Sequence, residues 1–283
     1  MGRFFRFCVP LAAARWGLAA SPARPLLVVC SPGSPGSTTE AQPTMDSFAA
    51  AAPSAAGWHS GGLGAIYYES AEPGRERLAQ SDAALALVSA PFFFEYEAKL
   101  SLRPLLEAIP EAGAGEVYSL VAKKGLVPSV AALAGWEITG GPGFSADFVR
   151  QAMLAGWGPL PVDVRITFSG RPLTDLHRAA SGEKVAVVLD REQAASLGSL
   201  PFGADLEVIH RSQTFPSGLL CLLPSRLPKA KADSLVRALR RMNGTERGRE
   251  VLKSMRLSRF APVAASGLKL LAKSPASSPG SKP

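Results

Sequence analysis

The sequence predicts an α/β protein with mostly parallel sheets flanked by helices. Three observations carry this. Strand-length apolar runs recur along the chain, as in Leu26-Leu27-Val28-Val29-Cys30, Asp82–Ser89 (DAALALVS) and Lys184–Asp190 (KVAVVLD). Such unbroken runs suit strands covered on both faces. Helix-like stretches alternate with them, and that alternation is the signature of a parallel sheet. The 283 residues are 47% apolar and 19% charged, enough for a full core in two small lobes or one large domain.

Residues 1–23 read as a secretory signal. MGRFFR is a basic start, FCVPLAAA and GLAA give apolar length, and Ser21-Pro22-Ala23 offers small residues for cleavage. Arg15 interrupts the apolar stretch. A lipoprotein signal ending at Cys30 is the rival, but Val29 stands where a small residue belongs. The net charge is +8, and cleavage after Ala23 would remove Arg3, Arg6 and Arg15 and no acid. No later stretch is long and apolar enough to cross a membrane.

The strand Leu26–Cys30 runs into SPGSPGSTT. Each Ser-Pro-Gly suits a type II turn, with Pro second and Gly third. A helix is expected from near Pro43, with Thr44 and Asp46 at its start and Pro53 kinking or splitting it. Leu63–Glu69 is a second strand, Ala71–Gln80 a short helix and Asp82–Ser89 a third strand. Pro91 then sits at the head of the helix PFFFEYEAKL. Phe92, Phe93 and Phe94 read as core rather than as a ligand platform. Leu102–Leu106 and Glu116–Ala122 are further strand candidates.

Lys123–Ala134 reads as a loop and short helix, and Trp136–Thr139 as a strand. The glycines of GGPG break that strand, and Ser145 caps the helix that follows. Val162–Phe168 alternates as a strand and Leu173–Ala180 is helical. Lys184–Asp190 is a strand ending on an acid, and Arg191–Leu197 a helix. Leu206–His210 and Leu219–Leu223 are strands. Leu235, Leu239 and Met242 share one helical face. Lys229, Lys231, Arg237, Arg240 and Arg241 fall largely off it, as a solvated basic face. Asn243-Gly244 ends that helix, Thr245 caps the next, and a disordered tail is expected over 266–283.

In a parallel α/β sheet, ligands bind beyond the carboxyl ends of the strands. That rule gathers Ser31, Ser37, Thr38, Thr39, Ser89 and Ser145, each following an expected strand, with Asp190 as an acid among hydroxyls. Hydroxyls and a helix N-terminus suit an anionic head, and the acid suits a donor such as an amine or hydroxyl. Cys8, Cys30 and Cys221 have no metal-ligand spacing. Cys30 and Cys221 pair in an oxidising compartment or, as the simpler reading, fill strands as small apolar residues. No metal motif, phosphate loop or dinucleotide fingerprint occurs, so no cofactor is expected. The basic helix lacks interleaved aromatics, which argues against nucleic acid.

Four segments together resemble the phosphate/phosphonate-type substrate-binding proteins of ABC transporters. They are LLVVCSPGSPGSTT, DAALALVSAPFF, EVYSLVAKKGLVPSVAALAG and SGEKVAVVLDREQ. The ending SLVRALRRMNGTERGREVLKSMRLSRFAPV is similar to that family's helical C-terminus. The resemblance implies a two-lobed type II periplasmic binding fold with a two-segment hinge. Lobe one would hold 25–122 and 213–265, and lobe two 123–212. It also implies a periplasmic, monomeric, non-catalytic protein that captures a small phosphonate- or phosphate-like solute and hands it to an ABC permease. Phe144-Ser145-Ala146-Asp147 departs from the pattern: one hydroxyl remains at that helix start, and Asp147 would repel an anion. Enzymes on the same fold, such as chorismate dehydratase-like proteins, are the alternative, although they lack secretion signals. A serine hydrolase is a further rival, because Ser145, Asp190 and His210 occur in hydrolase order. The elbow of such an enzyme wants Gly where Asp147 stands.

Overall fold

The computed structural model describes residues 24–33 and 36–272. The expected leader with Cys8, the centre of the Ser-Pro-Gly loop at Ser34-Pro35, and residues 273–283 lie outside them.

Two mixed sheets flanked by helices form the molecule. The first contains β1 (Leu26–Cys30), β2 (Gly64–Tyr68), β3 (Ala83–Val88), β4 (Arg103–Pro110), β10 (Leu219–Leu222) and β11 (Leu257–Ala261), in the order β11-β4-β10-β3-β1-β2. The second contains β5 (Ser119–Lys123), β6 (Glu137–Gly140), β7 (Arg165–Phe168), β8 (Val185–Leu189) and β9 (Leu206–Arg211), in the order β7-β6-β8-β5-β9.

The expectation of mostly parallel sheets is corrected. β1 with β2 and β3, and β6 with β7 and β8, are parallel, but every pairing made by β4, β5, β9, β10 and β11 is antiparallel. An apolar run reports burial on two faces and carries no information on direction. The boundary expected at 122/123 also moves. β5 hydrogen-bonds to β8 and β9, so the chain leaves the first sheet before Ser119. The seven residues EVYSLVA look like one strand, but Glu116 instead makes an isolated bridge with Phe215.

Helix α1 (Thr38–Ala55) begins earlier than Pro43 and continues past Pro53. Ser37 and Glu40 cap it reciprocally: the Glu40 amide donates to Ser37 Oγ, and the Ser37 amide donates to Glu40 Oε2 at 2.8 Å. The remaining helices are α2 (Ala71–Ala79), α3 (Ala90–Leu100), the short α4 (Ala146–Phe148), α5 (Pro172–Ala180), α6 (Arg191–Ala195), α7 (Lys229–Arg240), α8 (Glu246–Ser254) and α9 (Ala265–Leu271). Helix α9 corrects the tail expected from 266. Leu271 is buried, and Leu268 and Leu270 pack on the core, so apolar spacing outweighs the polar sequence that follows.

β1 shows why its apolar run is unbroken. Val28 and Cys30 face one core with Leu78 and Phe92, whereas Leu27 and Val29 face another with Phe48, Leu235 and Leu252. β8 repeats the arrangement, with Ala186 and Val188 on one side and Val185, Val187 and Leu189 packed with Leu176 and Ala179 on the other. Cys30 and Cys221 are free and buried. β3 lies between their strands. Two strand spacings are roughly 9.6 Å, beyond disulfide reach.

The chain crosses between the sheets twice, at 111–118 and 212–218. Glu116 and Phe215 exchange amide-to-carbonyl bonds of 2.7 and 2.8 Å, and the Ser212 amide donates to the Tyr118 carbonyl at 2.9 Å. The first core cluster continues through this region, joining residues of both sheets. At its centre Phe148 is fully buried. Its ring meets Phe94 at 5.7 Å, Tyr118 at 5.6 Å and Phe215 at 5.1 Å. Truncation of Phe148 to alanine should lower stability by about 3–5 kcal/mol in urea unfolding, whereas a loss below about 1 kcal/mol would show that the seam does not join the two lobes.

Candidate functional site

A cavity of about 530 Å³ lies between the sheets at the carboxyl ends of β1 and β3. Its wall includes Ser31, Gly33, Ser89, Tyr118, Asp190 and Ser217. The charged residues lining it are Glu40, Glu116, Asp190, Glu192, Arg191 and Arg256. Gly33 shows how closely the lobes approach here. It has φ +82°, and a Cβ on it would stand 2.6 Å from the Gly141 Cα, so the two backbones meet where side chains would hold them apart.

Of the hydroxyls expected at the site, the structure brings Ser31 and Ser89 to this cavity. Ser89 occupies the cap position of α3, but its hydroxyl makes no capping bond. Ser89 Oγ and Ser217 Oγ are buried with no hydrogen-bond partner among the described residues. Both residues line the cavity. The first turn of α3 contains no acid, and its leading amides of Ala90 and Phe92 add partial positive charge.

Ser37, Thr38 and Thr39 do not line the cavity. Ser37 is spent on the α1 cap, and the Thr38 amide donates to Glu69 Oε2 at 3.0 Å. Thr39 is exposed. Two carboxylates therefore already hold the N-terminus of α1, and the Ser37 bonds keep the Glu40 carboxyl below its ordinary range. Ser145 is also elsewhere. It is 1% exposed, accepts from the Phe148 amide and donates to Glu95 Oε2 at 2.9 Å. The hydrolase order Ser145, Asp190, His210 forms no relay here: the His210 ring stacks on Trp157 at 5.2 Å, and burial lowers its pKa.

Asp190 lines the cavity at the end of β8 and caps α6, accepting from the Gln193 amide at 2.8 Å. Burial raises its carboxyl above the ordinary range, and Glu192 adds to this. Glu116, which sequence reading placed inside a strand, faces the same cavity. Burial raises its pKa as well, and the Asp190 charge pushes in the same direction, against a 2.8 Å bond from the Arg191 amide. Ser217 and Arg191 were likewise missed. The Ser-Gly before β10 was the only local signal for Ser217, and Arg191 read as an ordinary first helical residue.

The cavity wall thus carries two kinds of group. Hydroxyls and a helix N-terminus suit an anion, and two half-buried carboxylates suit a cationic or hydrogen-bond-donating group. Over residues 67–268 the chain matches the family described as ABC transporter, phosphonate, periplasmic substrate-binding protein. It belongs to that family. No curated protein matches it significantly in sequence. Among solved structures it is similar to XAC2383 from Xanthomonas citri, bound to chloride ion. That match has TM-score 0.68 and 14% identity, covering 88% of this chain and 95% of that one. It is similar to a binding protein component of an ABC phosphonate transporter from Pseudomonas aeruginosa, with TM-score 0.62, 15% identity, and 87% and 83% coverage. PhnD1 from Prochlorococcus marinus, in complex with methylphosphonate, matches with TM-score 0.55, 13% identity, and 86% and 94% coverage. These likenesses show the type II periplasmic binding fold, with two lobes and a cleft between them. The family is one of solute-binding proteins serving ABC transporters.

The raised carboxyl pKa values have a stability consequence with a definite sign. A folded protein that binds protons more tightly than the unfolded chain loses stability as pH rises through the window from the ordinary to the raised value. Glu116→Gln and Asp190→Asn should therefore raise the melting temperature of the ligand-free protein at neutral pH. The gain should vanish in acid, where the wild-type carboxyls are protonated. A gain that persists in acid would place its origin outside these two groups.

Proposed function

We propose that the protein captures a small phosphonate-like solute bearing an amine or another donor group, and delivers it unchanged to an ABC permease. The observation that carries this reading is the polarity of the cleft. Ser31, Ser89, Ser217 and the α3 N-terminus receive the anionic head, and Asp190 with Glu116 receives the donor group. A simple alkylphosphonate would satisfy the first pole and leave the carboxylates facing its methyl group. An aminoalkylphosphonate satisfies both, and a charge-assisted bond to a half-buried carboxylate contributes about 1.5–3 kcal/mol.

Thermal shift with 2-aminoethylphosphonate, methylphosphonate and inorganic phosphate tests the reading. The aminophosphonate should stabilise most, by roughly 2.7 kcal/mol at about a hundred times its dissociation constant. Asp190→Ala should weaken its binding by about 1.5–3 kcal/mol and leave methylphosphonate little affected. Equal stabilisation by all three, or none, would overturn the assignment of the two poles.

Export and oligomeric state belong to the same proposal. Residues 1–23 act as a cleaved secretory signal, and the mature protein works as a monomer in the periplasm. Their basic start and small residues before Arg24 support the cleavage, and the family's setting supports the location. Intact mass of the native protein should place the N-terminus at or near Arg24 with Cys30 unlipidated. A mature pool that retains Met1 contradicts it.

A further inference from the structure

The guanidinium of Arg191 reaches from the second lobe to the first connection between the lobes. Arg191 is the first residue of α6, which follows β8 in the second sheet. Its Nη1 donates to the Ala112 carbonyl at 3.4 Å, and its Nη2 donates to the carbonyls of Ala114, at 3.1 Å, and of Gly115. Those carbonyls belong to the loop that leaves β4. The loop is tied to the first sheet, because the Glu111 amide donates to the Arg256 carbonyl at 3.0 Å and the Gly113 amide to the Pro110 carbonyl at 3.1 Å.

The loop is shaped for this grip. Gly113 has φ +110° and Gly115 φ +76°, left-handed values that glycine adopts without strain. A Cβ on Gly115 would stand 2.3 Å from Thr214 Cγ2, so the other connection closes off that side. The planar fork of arginine spreads its donors over separate nitrogens in a fixed geometry, which the single ammonium of lysine does not match. Among the described residues Arg191 has no carboxylate in salt-bridge range, although acids flank it on both sides in sequence. Its amide also donates to Glu116 Oε1 at 2.8 Å, and both residues line the cleft.

We propose that Arg191 is a positioning residue that latches the closed cleft: its guanidinium holds the first connection while its amide sets the Glu116 carboxylate toward the solute. The role assigned to Glu116 rests on the solute reading above, whereas the latch itself does not. Opening the lobes carries α6 away from the 112–115 loop and breaks these bonds. The latch therefore raises the closed population and slows release of whatever is bound.

The experiment is an interlobe distance measurement on ligand-free protein, with spin labels at Glu76→Cys on α2 and Thr174→Cys on α5. Cys30 and Cys221 are buried and stay unlabelled. Arg191→Gln should broaden the distance distribution toward open forms, with little change in melting temperature, and Arg191→Lys should restore it only in part. In the second arm, 2-aminoethylphosphonate should dissociate at least about tenfold faster from Arg191→Gln, the equivalent of one charge-assisted bond, with little change in association rate. A distribution in Arg191→Gln that superimposes on the parent overturns the latch. An opened distribution with no binding of the phosphonate by the parent leaves the latch standing and removes the solute reading instead.

Discussion

The rest of the structure depends on the aromatic seam between the two sheets. Phe94 comes from a first-lobe helix, Phe148 from a second-lobe helix, and Tyr118 and Phe215 from the two connections. Each aromatic pair contributes about 0.5–1.5 kcal/mol beyond its burial. Their larger effect is geometric. Phe92 and Phe144 also meet across the lobes, at 6.5 Å, so the apolar contact continues from the connections along α3. Tyr118 belongs both to this seam and to the cavity wall, so the packed core forms part of that wall. The two lobes thereby share one packed seam.

Polarity in the cleft follows from how two helix N-termini are treated. At α1 the free amides and partial positive charge are met by Glu40 and Glu69, so that end has little left for a ligand. At α3 the cap hydroxyl is unspent, no acid stands in the first turn, and the site keeps its attraction for an anion. Across the cleft, Glu116 and Asp190 are held partly out of water and near each other, which raises the cost of ionising both. The protein tolerates this cost in the free state. Arg191 stands among these acids, but its guanidinium is turned to carbonyls.

Much of this was legible in the residues, and the failures have physical causes. The strands β1, β3 and β8 announced themselves because a strand buried on both faces cannot alternate. The caps at Ser145 and Thr245 were legible because capping is local: both side chains accept from an amide three residues ahead. The α1 start was missed although Ser37 and Glu40 have capping-box spacing, because two prolines and a Ser-Pro-Gly loop read as a break. Thr38 and Thr39 were then placed in a loop when they are the first helical turn.

The sequence by itself determined the fold class, the family resemblance and the strand ends at Ser31, Ser89 and Asp190, because burial period and turn chemistry are written in neighbouring residues. Tertiary structure alone decided strand direction, the crossing points at 111–118 and 212–218, and the partners of each hydroxyl. Ser145 and Ser89 both stand at helix starts after strands and are indistinguishable in sequence. One is consumed by Glu95, fifty positions away, and the other has no partner among the described residues. Glu116, Ser217 and Arg191 come to line one cavity only when two connections, distant in sequence, are laid side by side. Such contacts depend on which segments pack together in space, and no local pattern of residues encodes that.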